Sequence, residues 1–341
     1  MQTNIMERSF SVISGSIVNE ILQSNYAKVI DLVKAAYLTH GEKKTVNPDS
    51  YFLKFPEKPE ARIIALPAHL GGDFDISGIK WIASFPKNIN HGIPRASAVI
   101  ILNDYETGYP IACIEGSIIS ASRTAASAVL GAQNLIKSKT VKRLGIIGCG
   151  LISRYVLNFM LNTGWTISSL ELFDLVDEYS VAMKDYFQER GIKEIHISST
   201  KEELISACDL ITLTTTAGVP HINDVSVFNH NPTVLHLSLR DLSPNIILAS
   251  NNIVDDVDHC LKAATSLHLT EQQVGNREFV TGTIDRLVLG EVSLDSQKPT
   301  IYSPFGMGIL DLAVASYVFE QSVMNKLAIT VPDFFYETKR I

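Results

Sequence analysis

The apolar positions along the chain fall into two textures. In the first 125 residues, short apolar runs are broken by turn signals. Ala27–Leu38 has helical spacing, with Val29, Ile30, Leu32 and Val33 to one side. Thr45–Pro59, rich in Pro, Lys and Asp, reads as an exposed loop. Arg62–Pro67, Ile76–Ile82 and Ala98–Leu102 read as strands, and Tyr109–Ile114 as another after the turn Asn103–Gly108. This spacing predicts a meandering antiparallel sheet. Ser117–Leu135, rich in Ala and Ser, predicts a long helix.

From Val141 the texture changes to alternation. Strand-like Arg143–Ile147, Leu170–Phe173, Glu194–Ile197, Leu210–Thr214, Val234–Leu237 and Ile253–Asp255 enclose helix-like Ile152–Leu161 and Val181–Glu189. Such alternation predicts a parallel α/β sheet. After Pro304 a last helical segment, Ile309–Gln321, follows.

The strongest local motif lies where the second texture begins. The apolar strand ending at Ile147 runs into Gly148-Cys-Gly150-Leu-Ile-Ser153 and then a helix. Gly148 permits a tight turn and Gly150 lets backbone approach a pyrophosphate. The N–H groups at the next helix start, Leu151 and Ile152 among them, are left to meet phosphate. Ser153 stands where a third glycine is usual and is small enough to sit close to the strand. The second strand ends in Asp174, 24 residues after Gly150. An acid there accepts the two ribose hydroxyls of NAD and repels the extra phosphate of NADP. Strand, glycines, helix, strand and acid in this order predict a Rossmann site for NAD.

Composition narrows the classes. The chain has 341 residues, 46% hydrophobic and 19% charged, which gives material for two packed domains and argues against disorder. A net charge of −7 argues against a polyanion binder, so no nucleic-acid partner is expected. No run approaches a membrane span, and Met1–Ser16 has no apolar signal core. Cys113, Cys149, Cys208 and Cys260 are far apart and form no C-x-x-C, so neither a disulfide framework nor a cysteine zinc site is expected. A reducing cytoplasm is the expected location. The nine histidines show no ligand spacing, and no metal is assigned.

Four cations stand on otherwise apolar elements of the first texture: Arg62, Lys80, Arg95 and Arg123. Snorkelling side chains are one reading. The other is that they bind carboxylates, for which Arg is suited by its planar fork. Asp241, in Arg240-Asp-Leu-Ser-Pro244, reads on its own as a turn residue or N-cap. His236 reads as a satisfied core residue, and Asp255 and Asp256 as a surface turn. His69 and His91, among the motifs of the first half, read as hydrogen-bonded structural residues.

Ser77-Gly-Ile-Lys80-Trp, Gly108-Tyr-Pro-Ile, Arg123-Thr-Ala-Ala126, Gly148-Cys-Gly150-Leu-Ile, Asp241 and Ser303-Pro-Phe-Gly306-Met-Gly-Ile-Leu-Asp311 together resemble the ornithine cyclodeaminase/μ-crystallin family, in order and over nearly the whole chain. The resemblance implies an α/β fold in which residues 1–125 and 306–341 form an α+β substrate and dimerisation domain. Residues 126–305 would form the central Rossmann domain, with the reaction between the two. It implies carboxylate binding by Lys80 and Arg123, catalysis by Asp241 with Lys80, cofactor contacts from Thr124, Thr214, Thr216 and Ser238, and a homodimer.

Two departures narrow the activity that the resemblance implies. Cyclodeaminases carry a glutamate on the strand before Met-Pro; here Ile64-Ala-Leu-Pro67 offers nothing to hold the ornithine side-chain amine. Arg95 replaces a small hydroxyl residue, which points to a substrate with an added anionic group. Both fit the branch that oxidatively cleaves N-(1-amino-1-carboxy-2-ethyl)glutamate with NAD⁺, giving 2-oxoglutarate and 2,3-diaminopropionate for siderophores or other nonribosomal products. In that reading Arg95 and Arg62 meet the remaining carboxylates of a three-carboxylate substrate, and Asp241 steers the nitrogen and acts as general base. The alternatives are an amino-acid dehydrogenase, a ketimine reductase, ornithine cyclodeaminase itself, or a non-catalytic μ-crystallin-like binding protein.

Overall fold

The computed structural model describes residues 9–336. In chain order the elements begin β1 (Phe10–Ile13), α1 (Gly15–Gln23), α2 (Tyr26–Gly41), β2 (Thr45–Val46), β3 (Tyr51–Phe55), β4 (Lys58–Leu70), β5 (Ile76–Ser84), β6 (Ala96–Asp104), β7 (Pro110–Glu115) and α3 (Ser117–Leu135). They continue with β8 (Thr140–Ile147), α4 (Leu151–Asn162), β9 (Thr166–Phe173), α5 (Asp177–Gln188), β10 (Ile195–Ile197), α6 (Lys201–Ala207), β11 (Leu210–Leu213), β12 (Thr233–His236), α7 (Pro244–Leu248) and β13 (Asn251–Val254). The last are α8 (Val257–Cys260), α9 (Ser266–Val274), β14 (Gly282–Thr283), α10 (Ile284–Val288), β15 (Thr300–Ser303), α11 (Gly308–Met324) and β16 (Ile329–Val331). They form two compact units. One runs up to Arg123 and resumes at Met307; the other runs from Thr124 to Gly306.

The first unit is built on a mixed sheet ordered β16-β1-β7-β6-β5-β4-β2, with β3 also on β4. β4 to β7 form the expected antiparallel meander, while β1 joins β7 in parallel. Thr45–Pro59 is not the loop its composition predicts. It holds β2 and β3, both paired to β4. Tyr51, Phe52 and Leu53 carry enough β-forming surface to outweigh the surrounding Pro and Asp. The pleat gives the sheet two different faces. On one, Leu66, Lys80 and Ile100 lie opposite one another, and α11 packs there against β4, β5 and β6. On the other, Tyr51, Ala65, Trp81 and Val99 line up across four strands.

The second unit is a parallel sheet ordered β10-β9-β8-β11-β12-β15-β13-β14. Its first strand in sequence, β8, lies in the middle, between β9 and β11. The chain therefore builds outward in one direction through β9 and β10, and in the other through β11. The carboxyl ends of β8 and β11 mark the switch point where open α/β sheets bind ligands. The core on one side of this sheet includes Ile147, Leu204, Ile211, Phe228, Ile246 and Ile301. Close packing also fixes small residues. A Cβ at Gly131 of α3 would lie 2.4 Å from the buried Tyr302 ring, whose hydroxyl bonds Ser127 at 2.9 Å.

Candidate active site

The βα turn after β8 has the geometry of a dinucleotide loop. Gly148 has φ +94°, and a Cβ there would meet the Thr214 and Thr215 backbone at 2.8–2.9 Å, so only glycine fits. Thr214 Oγ1 donates to the Gly148 carbonyl at 2.7 Å, tying the end of β11 to the turn across the switch point. Gly150, by contrast, faces open space. That is where a pyrophosphate needs a backbone without a side chain. α4 begins at Leu151 with no side-chain cap, so its first N–H groups have no acceptor within the helix. Ser153 does more than stay small: its hydroxyl lies 2.9 Å from both the Gly148 and Gly150 carbonyls. Asp174, just after β9, accepts from the Cys149 N–H at 2.7 Å and the Val176 N–H at 3.0 Å. Each carboxylate oxygen retains a lone pair for a ribose hydroxyl. These residues fit a nicotinamide dinucleotide. Thr216 is exposed and Thr124 half-buried on α3. Burial raises the thiols of Cys149 and Cys208 to about 11 and about 12, which leaves both unreactive.

In the same unit, Asp241 lies in the bend that follows β12 and is fully buried. Thr215 and His221 contact its Oδ1, with His221 Nε2 at 3.0 Å; Ser238 and His236 contact its Oδ2, with His236 Nε2 at 3.2 Å. Ser238, expected at the cofactor, thus has its hydroxyl on this carboxylate. Burial pushes the Asp241 pKa up, but the hydrogen bonds from His221, His236 and Ser238 and the nearby His236 charge outweigh it. The group is held well below the usual carboxylate range. The loop reaches this position through a strained residue. Leu239 has φ +69° despite its bulk, and its carbonyl accepts the Ser266 N–H at 2.7 Å. His236 is the buried core residue its strand predicts, but it also links Asp241 to Ser303 (Nδ1 to Oγ, 3.2 Å).

Asp255 corrects an expectation. It is buried, not a surface turn, and accepts from the N–H groups of Phe305 at 2.9 Å and Gly306 at 2.7 Å. Strand β13 places it beside β15, so its carboxylate satisfies the backbone leaving that neighbour. Asp256, next to it, caps α8 through the His259 N–H.

In the first unit, Lys80 and Arg123 come together around Asp311, the acid that closes the Ser303–Asp311 motif. Lys80 Nζ lies 2.6 Å from Asp311 Oδ2 and 3.2 Å from Ser120 Oγ, and Arg123 Nε lies 3.2 Å from Asp311 Oδ1. The Lys80 and Asp311 side chains are 3% and 0% exposed. Burial lowers Lys80 from its ordinary 10.5 to about 8, against the opposing pull of Asp311. An ammonium has three N–H donors and a guanidinium five. Each cation therefore keeps donors beyond those Asp311 and Ser120 occupy. A signal for Asp311 did exist: an acid within the apolar run Ile309-Leu-Asp-Leu-Ala-Val needs a cation or several hydrogen-bond donors if it is buried, and Lys80 and Arg123 stood unpartnered in the same reading.

Arg62 and Arg95 form a second cationic pair. Arg62 lies opposite Ser84 on β5, and Ser84 opposite Ala96 on β6, which brings Arg95 alongside. Arg95 Nε donates to Ser84 Oγ at 3.1 Å. Arg62 Nε is buried with no hydrogen-bond partner among the described residues. The Arg95 pKa is lowered by burial first and by the Arg62 charge second. His69 is accounted for by Ser77 (3.0 Å) and stacking on Tyr105, and His91 is exposed.

The sequence profile of the ornithine cyclodeaminase/mu-crystallin family matches residues 16–326. An N-((2S)-2-amino-2-carboxyethyl)-L-glutamate dehydrogenase of Staphylococcus aureus is 31% identical over 318 residues, 90% of this chain and 94% of that protein. An alanine dehydrogenase of Archaeoglobus fulgidus is 26% identical, covering 90% of this chain and 94% of its own. Among solved structures, a Δ(1)-pyrroline-2-carboxylate reductase of Thermococcus litoralis, in complex with NADH and L-proline, superposes with a TM-score of 0.86 at 21% identity. It covers 94% of this chain and 100% of that one.

Proposed function

Because the chain belongs to the ornithine cyclodeaminase/mu-crystallin family, we propose that it is an NAD-dependent oxidoreductase that cleaves N-(1-amino-1-carboxy-2-ethyl)glutamate to 2-oxoglutarate and 2,3-diaminopropionate. The reaction type, dehydrogenation or reduction at a carbon–nitrogen bond, is shared by the relatives. The observation that carries the substrate is the Arg62–Arg95 pair. Two adjacent guanidinium groups repel, and a partly buried one without an acid partner is costly. An anionic substrate would relieve both penalties. Alanine or proline has one carboxylate, for which Lys80 and Arg123 suffice. The glutamate adduct has three.

When bound at the glycine loop, NAD⁺ supplies the acceptor for hydride from the glutamate α-carbon. The chain's residues do the rest. Lys80 and Arg123 hold the carboxylate beside that carbon and fix its orientation. Arg62 and Arg95 hold the remaining carboxylates. Asp241 stays ionised and stabilises positive charge on the nitrogen as the imine forms. Water then adds to the imine, and the adduct collapses to the two products.

The sheet face carrying Tyr51, Leu53, Trp81 and Val99 is apolar and exposed, Trp81 at 41% and Tyr51 at 74%. A contiguous apolar face of this kind marks an interface. A second copy of the chain is its proposed partner, in keeping with a structural neighbour described as an alanine dehydrogenase dimer. No helix among the described residues is long and apolar enough to cross a membrane. Four free cysteines fit a reducing cytoplasm.

A substrate panel tests the reading. The protein with NAD⁺ should form NADH from the glutamate adduct with kcat/KM at least tenfold above that for alanine, proline or ornithine. Equal or better turnover of alanine or proline refutes the substrate. Ammonia release from ornithine without net NADH refutes the reaction.

A further inference from the structure

Asp241 is poorly placed to carry a proton itself. All four of its hydrogen-bond partners, Thr215, His221, Ser238 and His236, are in place, two on each oxygen, and the carboxylate has no exposed surface. A proton arriving there would have to displace a donor. The titratable side chains of the cluster are Asp241, His236 and His221, and the first two are sealed. The His221 side chain is 33% exposed.

The geometry also sets the tautomer of that ring. An ionised carboxylate only accepts, so Nε2, 3.0 Å from Oδ1, carries the proton. Nδ1 is left with a lone pair and has no partner among the described residues. The backbone fixes the ring as well. The His221 N–H donates to the Asp241 carbonyl at 2.9 Å, so both ends of His221 rest on one residue. Buried carboxylate, oriented imidazole and a second nitrogen left without a partner, on a side chain one-third exposed, form an acid–base dyad.

We propose that His221 is the catalytic residue that moves protons in this site, through Nδ1, and that Asp241 is its positioning residue. This rests on the reading that the site oxidises an amine. The substrate ammonium gives a proton to Nδ1. The freed lone pair forms the C=N bond as hydride leaves the adjacent carbon for NAD⁺, which leaves a protonated imine. The ring, on a partly exposed side chain, sheds its proton to solvent. It then takes one from the water whose oxygen bonds to the imine carbon, giving a carbinolamine. It returns that proton to nitrogen as the C–N bond breaks and the hydroxyl becomes a carbonyl, releasing its own proton to water. Asp241 is the charged group facing the ring, with His236 on the carboxylate's other oxygen.

Two variants test this. His221→Gln keeps an N–H donor for Asp241 but offers no base; His221→Ala empties the position. Rates are compared on whichever of the adduct, alanine and proline the wild type oxidises fastest, so a wrong substrate assignment does not disguise a wrong proton carrier. His221→Gln should lower kcat by about 10²–10⁴-fold, leave the NAD⁺ Kd within about twofold, and abolish the acid limb of the kcat/KM–pH profile. His221→Ala should recover part of its rate with added imidazole. Independently of turnover, ¹⁵N NMR of the protein without substrate should show His221 protonated at Nε2. Activity of His221→Gln within threefold of wild type with the acid limb intact overturns the proposal. So does an Nδ1-protonated tautomer, or failure of imidazole to rescue a folded His221→Ala. No turnover of any of the three substrates by wild type overturns the underlying reading as well.

Discussion

Replacing Asp311 with Asn keeps the shape of the side chain and removes the single anion between Lys80 and Arg123. The cost can be worked from their burial and contacts. Lys80 titrates at about 8, one unit above neutrality. If the anion is lost, the fold can strip the Lys80 proton at pH 7 for about 1 kcal/mol. Arg123 cannot deprotonate. It loses a 3.2 Å charge-assisted hydrogen bond with 12% of its side chain exposed, for a further ~2–3 kcal/mol. The total, about 3–4 kcal/mol, agrees with the ~3–5 kcal/mol typical of breaking a buried ion pair from one side. For a unit of this size the melting temperature should fall by roughly 6–16 °C. The pH dependence has a definite sign. Lys80 has a lower pKa folded than unfolded, so its contribution to stability rises with pH once the folded form has released its proton. In Asp311→Asn that release is already complete at pH 7; in wild type it occurs near pH 8. The gap between the two should therefore narrow by about 1 kcal/mol between pH 7 and 9. Differential scanning fluorimetry at both pH values measures it. A Tm within 2 °C of wild type at pH 7, or a gap that widens with pH, refutes the reasoning.

Three further outcomes are expected. Arg95→Thr should raise KM for the glutamate adduct about 10–100-fold, the equivalent of one lost charged hydrogen bond, with alanine kinetics unchanged; an unaltered KM for the adduct removes Arg95 from the site. Gly148→Ala, with φ +94° and backbone at 2.8 Å from the new methyl, should lose NAD⁺ binding by calorimetry, and wild-type affinity would contradict the loop assignment. Trp81→Glu on the exposed sheet face should shift the protein from dimer to monomer in light scattering without unfolding it; an unchanged mass places the dimer contact elsewhere.

Much of the architecture was legible because it depends on local pattern. The helix Ser117–Leu135, the strands around Lys80 and the glycine turn follow from periodicity and from residues with special backbone freedom. Parts of the site were hidden where long-range register decides. Arg62 and Arg95 are 33 positions apart, and only the pairing of β4 and β6 with β5 makes them neighbours. Asp311 meets Lys80 across 231 positions because α11 returns to the sheet that β5 left long before. His221 follows a proline in a segment with little periodicity, and nothing in its neighbours announces Asp241. Asp255 read as a surface turn because two adjacent acids usually are solvated; the backbone it caps arrives 50 residues later.

The most direct test is to incubate the protein with NAD⁺ and N-(1-amino-1-carboxy-2-ethyl)glutamate and to quantify products by mass spectrometry alongside NADH absorbance. 2-Oxoglutarate, 2,3-diaminopropionate and NADH are expected in equal amounts. An intact adduct, with NADH formed instead from a monocarboxylate amino acid such as alanine, would contradict this expectation.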